Sequence, residues 1–77
     1  MDIQLADVTI HVDKTLEPVE RAGLEDRLRD TEGVVSVRNS GERMHLFLVE
    51  YNPDKTNSKD LLGIVRGLHG HAQLVGL

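Results

Sequence analysis

The chain has no cysteine and no tryptophan, and only one phenylalanine and one tyrosine among 77 residues. Without a thiol there can be no disulfide, no thiolate metal site and no cysteine nucleophile. With so few aromatics, the core has to be built from Val, Leu and Ile. No run of 18 apolar residues exists, so no segment reads as a membrane span. The first residues, Met1-Asp2-Ile3-Gln4, lack the basic and apolar regions of a secretory signal, which makes the cytoplasm the expected compartment. Positive charge is also scarce. Thirteen acidic against nine basic residues give a net charge of −4, which argues against a nucleic-acid partner, because phosphate neutralisation needs a basic stripe. Neither a G-x-x-x-x-G-K nor a G-x-G-x-x-G phosphate loop occurs. Neither His11 nor His45 has neighbours in sequence that suggest a catalytic triad. No enzymatic activity and no resident cofactor are expected.

What is present is a regular alternation of two periodicities over one domain, residues 1–77, with no linker. Val8, Ile10 and Val12 alternate with Thr9 and His11, the period-2 pattern of a strand with one buried face, here Asp7 to Asp13. Ile3 and Leu5 extend it backwards with a break near Ala6. Pro18, at a first helical position that needs no N–H, and the acidic Glu17 and Glu20 mark a helix start. That helix is expected to run to about Thr31 and to end on Gly33 as a cap. Leu24 and Leu28 form its thin apolar stripe, helped by Leu16 or Val19, by Ala22 and Gly23, and by the arginine stems. Glu17–Arg21 and Glu25–Arg29 are i,i+4 pairs. Val34 to Arg38 and Arg43 to Tyr51 read as strands around the turn residues Asn39-Ser40-Gly41-Glu42. Asn57 or Ser58 caps a second helix, with Leu61, Ile64, Val65 and Leu68 at i, i+3, i+4, i+7. Gly70 stops it, and His71 to Val75 is a last strand. The expected core is Val8, Ile10, Val12, Leu24, Leu28, Val34, Val37, Phe47, Val49, Ile64, Val65 and Leu68.

Strand–helix–strand–strand–helix–strand predicts an α+β, ferredoxin-like βαββαβ fold: a four-stranded antiparallel sheet with two helices on one face and the other face open. RNA-recognition domains share this topology but need stacking aromatics on the central strands. Acylphosphatases share it too, but their phosphate loop is replaced here by Asp13-Lys14-Thr15-Leu16.

Four pieces carry a closer resemblance: Val8-Thr9-Ile10-His11-Val12, Gly33-Val34-Val35-Ser36-Val37, Tyr51-Asn52-Pro53, and Gly70-His71-Ala72 after the Leu61 to Leu68 stripe. In this order and spacing the chain resembles the heavy-metal-associated (HMA) domains of copper chaperones, mercury-resistance proteins and metal-pumping ATPases. Counting back from Gly33, the family's two cysteines fall on Glu17 and Glu20, in Glu17-Pro18-Val19-Glu20, and its Gly-Met on Lys14-Thr15. Cu(I) is soft and takes thiolate or thioether ligands, so the family's cysteine-based transfer of it is excluded. The resemblance also implies that the residue after the second helix's glycine, here His71, packs beside that loop. Glu17, Glu20 and His71 are therefore the candidate ligands of a harder divalent ion such as Zn²⁺, although helix-start acids need no metal to explain them. His69-Gly70-His71 is accounted for in the same way as a capped helix end.

The least ordinary stretch is Met44-His45-Leu46-Phe47-Leu48-Val49. If Phe47, Val49 and Tyr51 point at the helices, Met44, Leu46 and Leu48 point to the open face, where polar residues belong. Val35 joins them from the next strand, and His11 and Arg38 supply a polar rim. This predicts a protein-interaction or self-associating module, a homodimer being the simplest case. The alternatives are a divalent metal-binding or metal-trafficking protein using Glu and His ligands, and an ACT-like small-molecule-sensing domain.

Overall fold

Alternation of β-branched and polar residues over Ala6–Val12 forms β1, in which Val8, Ile10 and Val12 are buried and the residues between them are not. The computed structural model describes residues 4–39 and 45–75. After β1 come α1 (Pro18–Arg29), β2 (Val34–Asn39), β3 (Leu46–Tyr51), α2 (Ser58–His69) and β4 (Ala72–Val75). The strands form one antiparallel sheet in the order β2-β3-β1-β4. This is the expected ferredoxin-like arrangement, with both helices packed on one face of the sheet. No helix among the described residues is long and apolar enough to cross a membrane.

The helices start as their residues dictate. Pro18 occupies the first turn of α1, and the Glu17 backbone N–H donates to Glu20 Oε1 at 2.9 Å. Asn57 caps α2, its side-chain oxygen accepting from the Asp60 N–H at 2.9 Å. Gly70, at φ +80°, ends that helix. α1 differs from expectation at its far end. It stops at Arg29 with Asp30 as the cap, because the Asp30 and Thr31 amides still find the Asp26 and Leu28 carbonyls. Gly33 serves a different purpose. At φ +96° it lies against the loop after β3, where a Cβ would stand 2.8 Å from Lys55 Cβ and 3.1 Å from Thr56 Cγ2. Its carbonyl accepts from the Asn52 N–H at 2.7 Å.

Phe47, Ile10, Leu24, Leu28, Leu61, Val12, Val49 and Val65 are fully buried, joined by Val8, Leu16, Val37, Tyr51 and Ala72. Five expectations need correction. Leu68 is 52% exposed: its periodicity is right, but the last turn of α2 outruns a core that ends on the small side chain of Ala72. Val34 and Ile64 only border the core. Ala22 and Gly23 are exposed, as is Val19, so Leu16, Leu24 and Leu28 seat α1, with Arg21 half-buried and Arg29 donating to the Val37 carbonyl at 3.2 Å. Of the two i,i+4 pairs, Glu25–Arg29 forms at 3.1 Å, whereas Glu17 and Arg21 are joined through the backbone, Arg21 N–H to Glu17 C=O. β1 starts at Ala6, with Leu5 exposed ahead of it. The expected hairpin turn at Ser40, Gly41 and Glu42, the strand start at Arg43 and the extension to Ile3 lie outside the described residues, as does Met44.

Candidate functional site

The helix-free face is set by register. Phe47, Val49 and Tyr51 are buried under the helices, so Leu46, Leu48 and Glu50 turn outward. β1 sets Thr9 opposite Leu48, His11 opposite Leu46 and Asp7 opposite Glu50. β4 sets Val75 opposite Thr9 and Gln73 opposite His11, and β2 sets Arg38 opposite Leu48. One row thus crosses all four strands: Arg38, Leu48, Thr9, Val75. Leu48, Val75 and Val35 are among the exposed large hydrophobic residues, and Leu46 is half-buried. Val35 is the extra residue of a bulge between Val34 and Ser36, which leaves it 55% exposed.

The polar groups of this face are sorted along the strands. Asp7 and Glu50 stand at one end, Glu50 within 3.4 Å of Ser36 Oγ. At the other end stand His11 and His45. Strand alternation would aim His45 at the helices, but it lies just before β3 and its ring stacks on His11, centroids 5.5 Å apart and planes 22° apart. His45 Nδ1 is 2.8 Å from the Val12 carbonyl oxygen, and His11 Nδ1 is 3.0 Å from Asp13 Oδ1. His11 therefore has an acidic partner. The pair still makes no triad, since no hydroxyl is hydrogen-bonded to either ring among the described residues.

The positions that resemble a metal loop lie at the same end of the domain. Glu17 is exposed at the helix N-cap. Glu20 is engaged on both oxygens, Oε1 by the Glu17 N–H at 2.9 Å and Oε2 by Lys14 Nζ at 3.5 Å. The Glu17 N–H, then Lys14 and His69, hold the Glu20 carboxyl below its ordinary range, against a smaller opposing effect of desolvation. His71 is exposed, and its carbonyl accepts from the Asp13 N–H at 3.0 Å. Topology thus brings Glu17, Glu20 and His71 to one end. Among the described residues, however, no three His, Asp or Glu side chains gather as an ion would require. Oxygen donors at Glu17 and Glu20, in a chain without a thiol, do not fit a soft metal cargo.

Sequence reasoning missed Thr9, Val75 and the His11–His45–Asp13 group. Alternation on β1 already implied an outward Thr9. Val75 and the ring stack depend on which strands pair and in which register.

Solved structures match this fold closely. MerP from Ralstonia metallidurans CH34, in its oxidised form, superposes with a TM-score of 0.82 at 16% identity, covering 95% of this chain and all of that one. A copper-binding domain of the P-type ATPase HMA7 gives 0.81 at 13% identity, with 91% and 93% of the two chains covered. The N-terminal domain of a potential copper-translocating P-type ATPase from Bacillus subtilis, in its Cu(I)-loaded state, gives 0.75 at 22% identity over 92% and 85%. No protein-family model and no curated protein sequence matches. The chain therefore has an HMA-like fold, and it carries that fold without the cysteines.

Proposed function

We propose that this chain is a non-enzymatic HMA-like module that acts by association through its open sheet face, and that its partner is a second copy of itself. The observation that carries this reading is the set of exposed apolar side chains on the strands of the sheet. Of the six large hydrophobic residues exposed among the described ones, Val35, Leu48 and Val75 all belong to strands of this sheet. Removing that surface from water is worth about 25 cal/mol per Å² before association costs are subtracted. A two-fold pairing uses one patch twice and needs no other surface. The sorting of polar groups along the strands suits the same occupant. With the sheets face to face and the strands antiparallel, the Asp7–Glu50 end of one copy lies over the His11–His45 end of the other. Arg38 and His11 then serve as rim.

Replacing Leu46 and Leu48 by Lys tests the reading. Neither residue packs under the helices, so the double variant should keep the wild-type circular dichroism and cooperative melt. The wild type should sediment as a dimer and the variant as a monomer. A wild type that stays monomeric at millimolar concentration would sink self-association. An unfolded variant would show the leucines to be structural.

Two other readings remain as proposals with their own tests. A carboxylate–histidine site at Glu17, Glu20 and His71 calls for divalent-ion binding that Glu17→Gln with Glu20→Gln abolishes. An ACT-like sensing role calls for a small molecule that raises the melting temperature.

A further inference from the structure

The edge strands of the described sheet, β2 and β4, each have an arginine on a backbone carbonyl, and register shows that both carbonyls face outward. The Val12 N–H donates to the His45 carbonyl at 2.8 Å and the Asp13 N–H to the His71 carbonyl at 3.0 Å. Even-numbered backbone groups of β1 therefore face β3, and odd-numbered ones face β4. Carried across the pairings, this alternation turns the Arg38 backbone groups toward β3 and those of Val37 outward. On β4 it turns Gln73 toward β1 and leaves Ala72 and Leu74 facing outward. The arginines meet this outward set. Arg29 Nη2, in the last turn of α1, donates to the Val37 carbonyl at 3.2 Å, and Arg66 Nε, in the last turn of α2, donates to the Ala72 carbonyl at 3.0 Å. Glu25, at 3.1 Å, and Asp26, at 3.7 Å, also engage the Arg29 guanidinium. Other features blunt the same edges: the bulge at Val35 interrupts β2, and β4 is only four residues long.

An open sheet edge is a template for a strand of another molecule. Such a strand would bring its own N–H to about 2.9 Å from the outward carbonyls, where the guanidinium nitrogens already stand. It would also have to strip water from a charged side chain on each edge. We propose that Arg29 and Arg66 guard the two edges of the sheet against strand addition by a second copy of this chain. Each helix closes the edge strand it packs against, α1 on β2 and α2 on β4. The helix-free face is then the surface of the sheet left for a partner. The guard does not depend on what that face binds.

Arg29→Ala with Arg66→Ala provides the test, made both in the wild type and together with Leu46→Lys and Leu48→Lys, which remove open-face association. Losing two positive charges takes the net charge from −4 to −6, which by itself opposes self-association. Arg27→Ala with Lys59→Ala makes the same charge change on exposed residues that touch neither edge carbonyl. In sedimentation, the Arg29→Ala, Arg66→Ala protein should reach at least about twice the weight-average mass of its parent, rising with concentration. The control pair should match its parent. A folded Arg29→Ala, Arg66→Ala protein of unchanged mass, even one with a lowered melting temperature, would make the arginines mere fasteners of β2 and β4 and overturn the proposal. Equal association in the control pair would overturn it too. A monomeric wild type would sink the open-face dimer and leave this comparison intact. In the wild type, the Arg66 Nε–H should exchange with solvent about tenfold more slowly than that of Arg27. Equal rates would mean that the Ala72 carbonyl is not covered, and this measurement decides even if a variant fails to fold.

Discussion

Gly33 shows how one residue can be read correctly as necessary and wrongly as to why. A glycine after an amphipathic stretch predicts a helix cap, yet α1 ends at Arg29 on Asp30. Gly33 is needed because its φ of +96° is unfavourable for residues with a Cβ, and because the Lys55 and Thr56 segment fills the space a Cβ would take. Gly33→Ala combines both penalties and is expected to destabilise the domain by about 1–3 kcal/mol. Urea denaturation would measure it, and a loss below a few tenths of a kcal/mol would mean that the loop after β3 relaxes freely. His11 teaches the converse. Its position on the open face follows from alternation, whereas its partners Asp13 and His45 come from the chain leaving β1 and entering β3 beside it.

Among the elements, α2 separates periodicity from burial. Leu61, Ile64, Val65 and Leu68 share a face at 3.6 residues per turn, and the sequence offers no reason to rank them. In the fold, Leu61 and Val65 are fully buried, Ile64 borders the core and Leu68 is half in solvent. Leu61→Ala should therefore cost about 2–5 kcal/mol, the range for a fully enclosed leucine. Leu68→Ala should cost less than about 1 kcal/mol, since little of its surface was removed from water. Thermal or denaturant melts of the two variants give the comparison, and equal losses would show that the end of α2 packs more tightly than its exposure implies. β3 is legible for the opposite reason. Its period of two leaves only two orientations, and Phe47, Val49 and Tyr51 settle which one buries the larger side chains.

For the molecule as a whole, the fold and the chemistry point in different directions. The backbone is that of HMA-like domains, some of which are described as copper-binding, while this chain contains no thiolate donor. Cu(I) should not compete for this protein against a chelator that withdraws it from thioethers. Retention of Cu(I) under that challenge would show that methionine or imidazole ligands suffice. Composition and periodicity were enough to specify the βαββαβ order, the helix start at Pro18, a cap for the second helix at Asn57 or Ser58, the outward face of β3 and the absence of thiolate ligands. Each of these rests on local rules: alternation, capping and the identity of donor atoms. Strand pairing was needed to set Val75 beside Thr9, to bring the His45 ring onto His11, to turn Gly33 against Thr56 and to leave Leu68 beyond the core. These are contacts between segments far apart in the chain, and they depend on register and on where the core runs out, which no local pattern encodes.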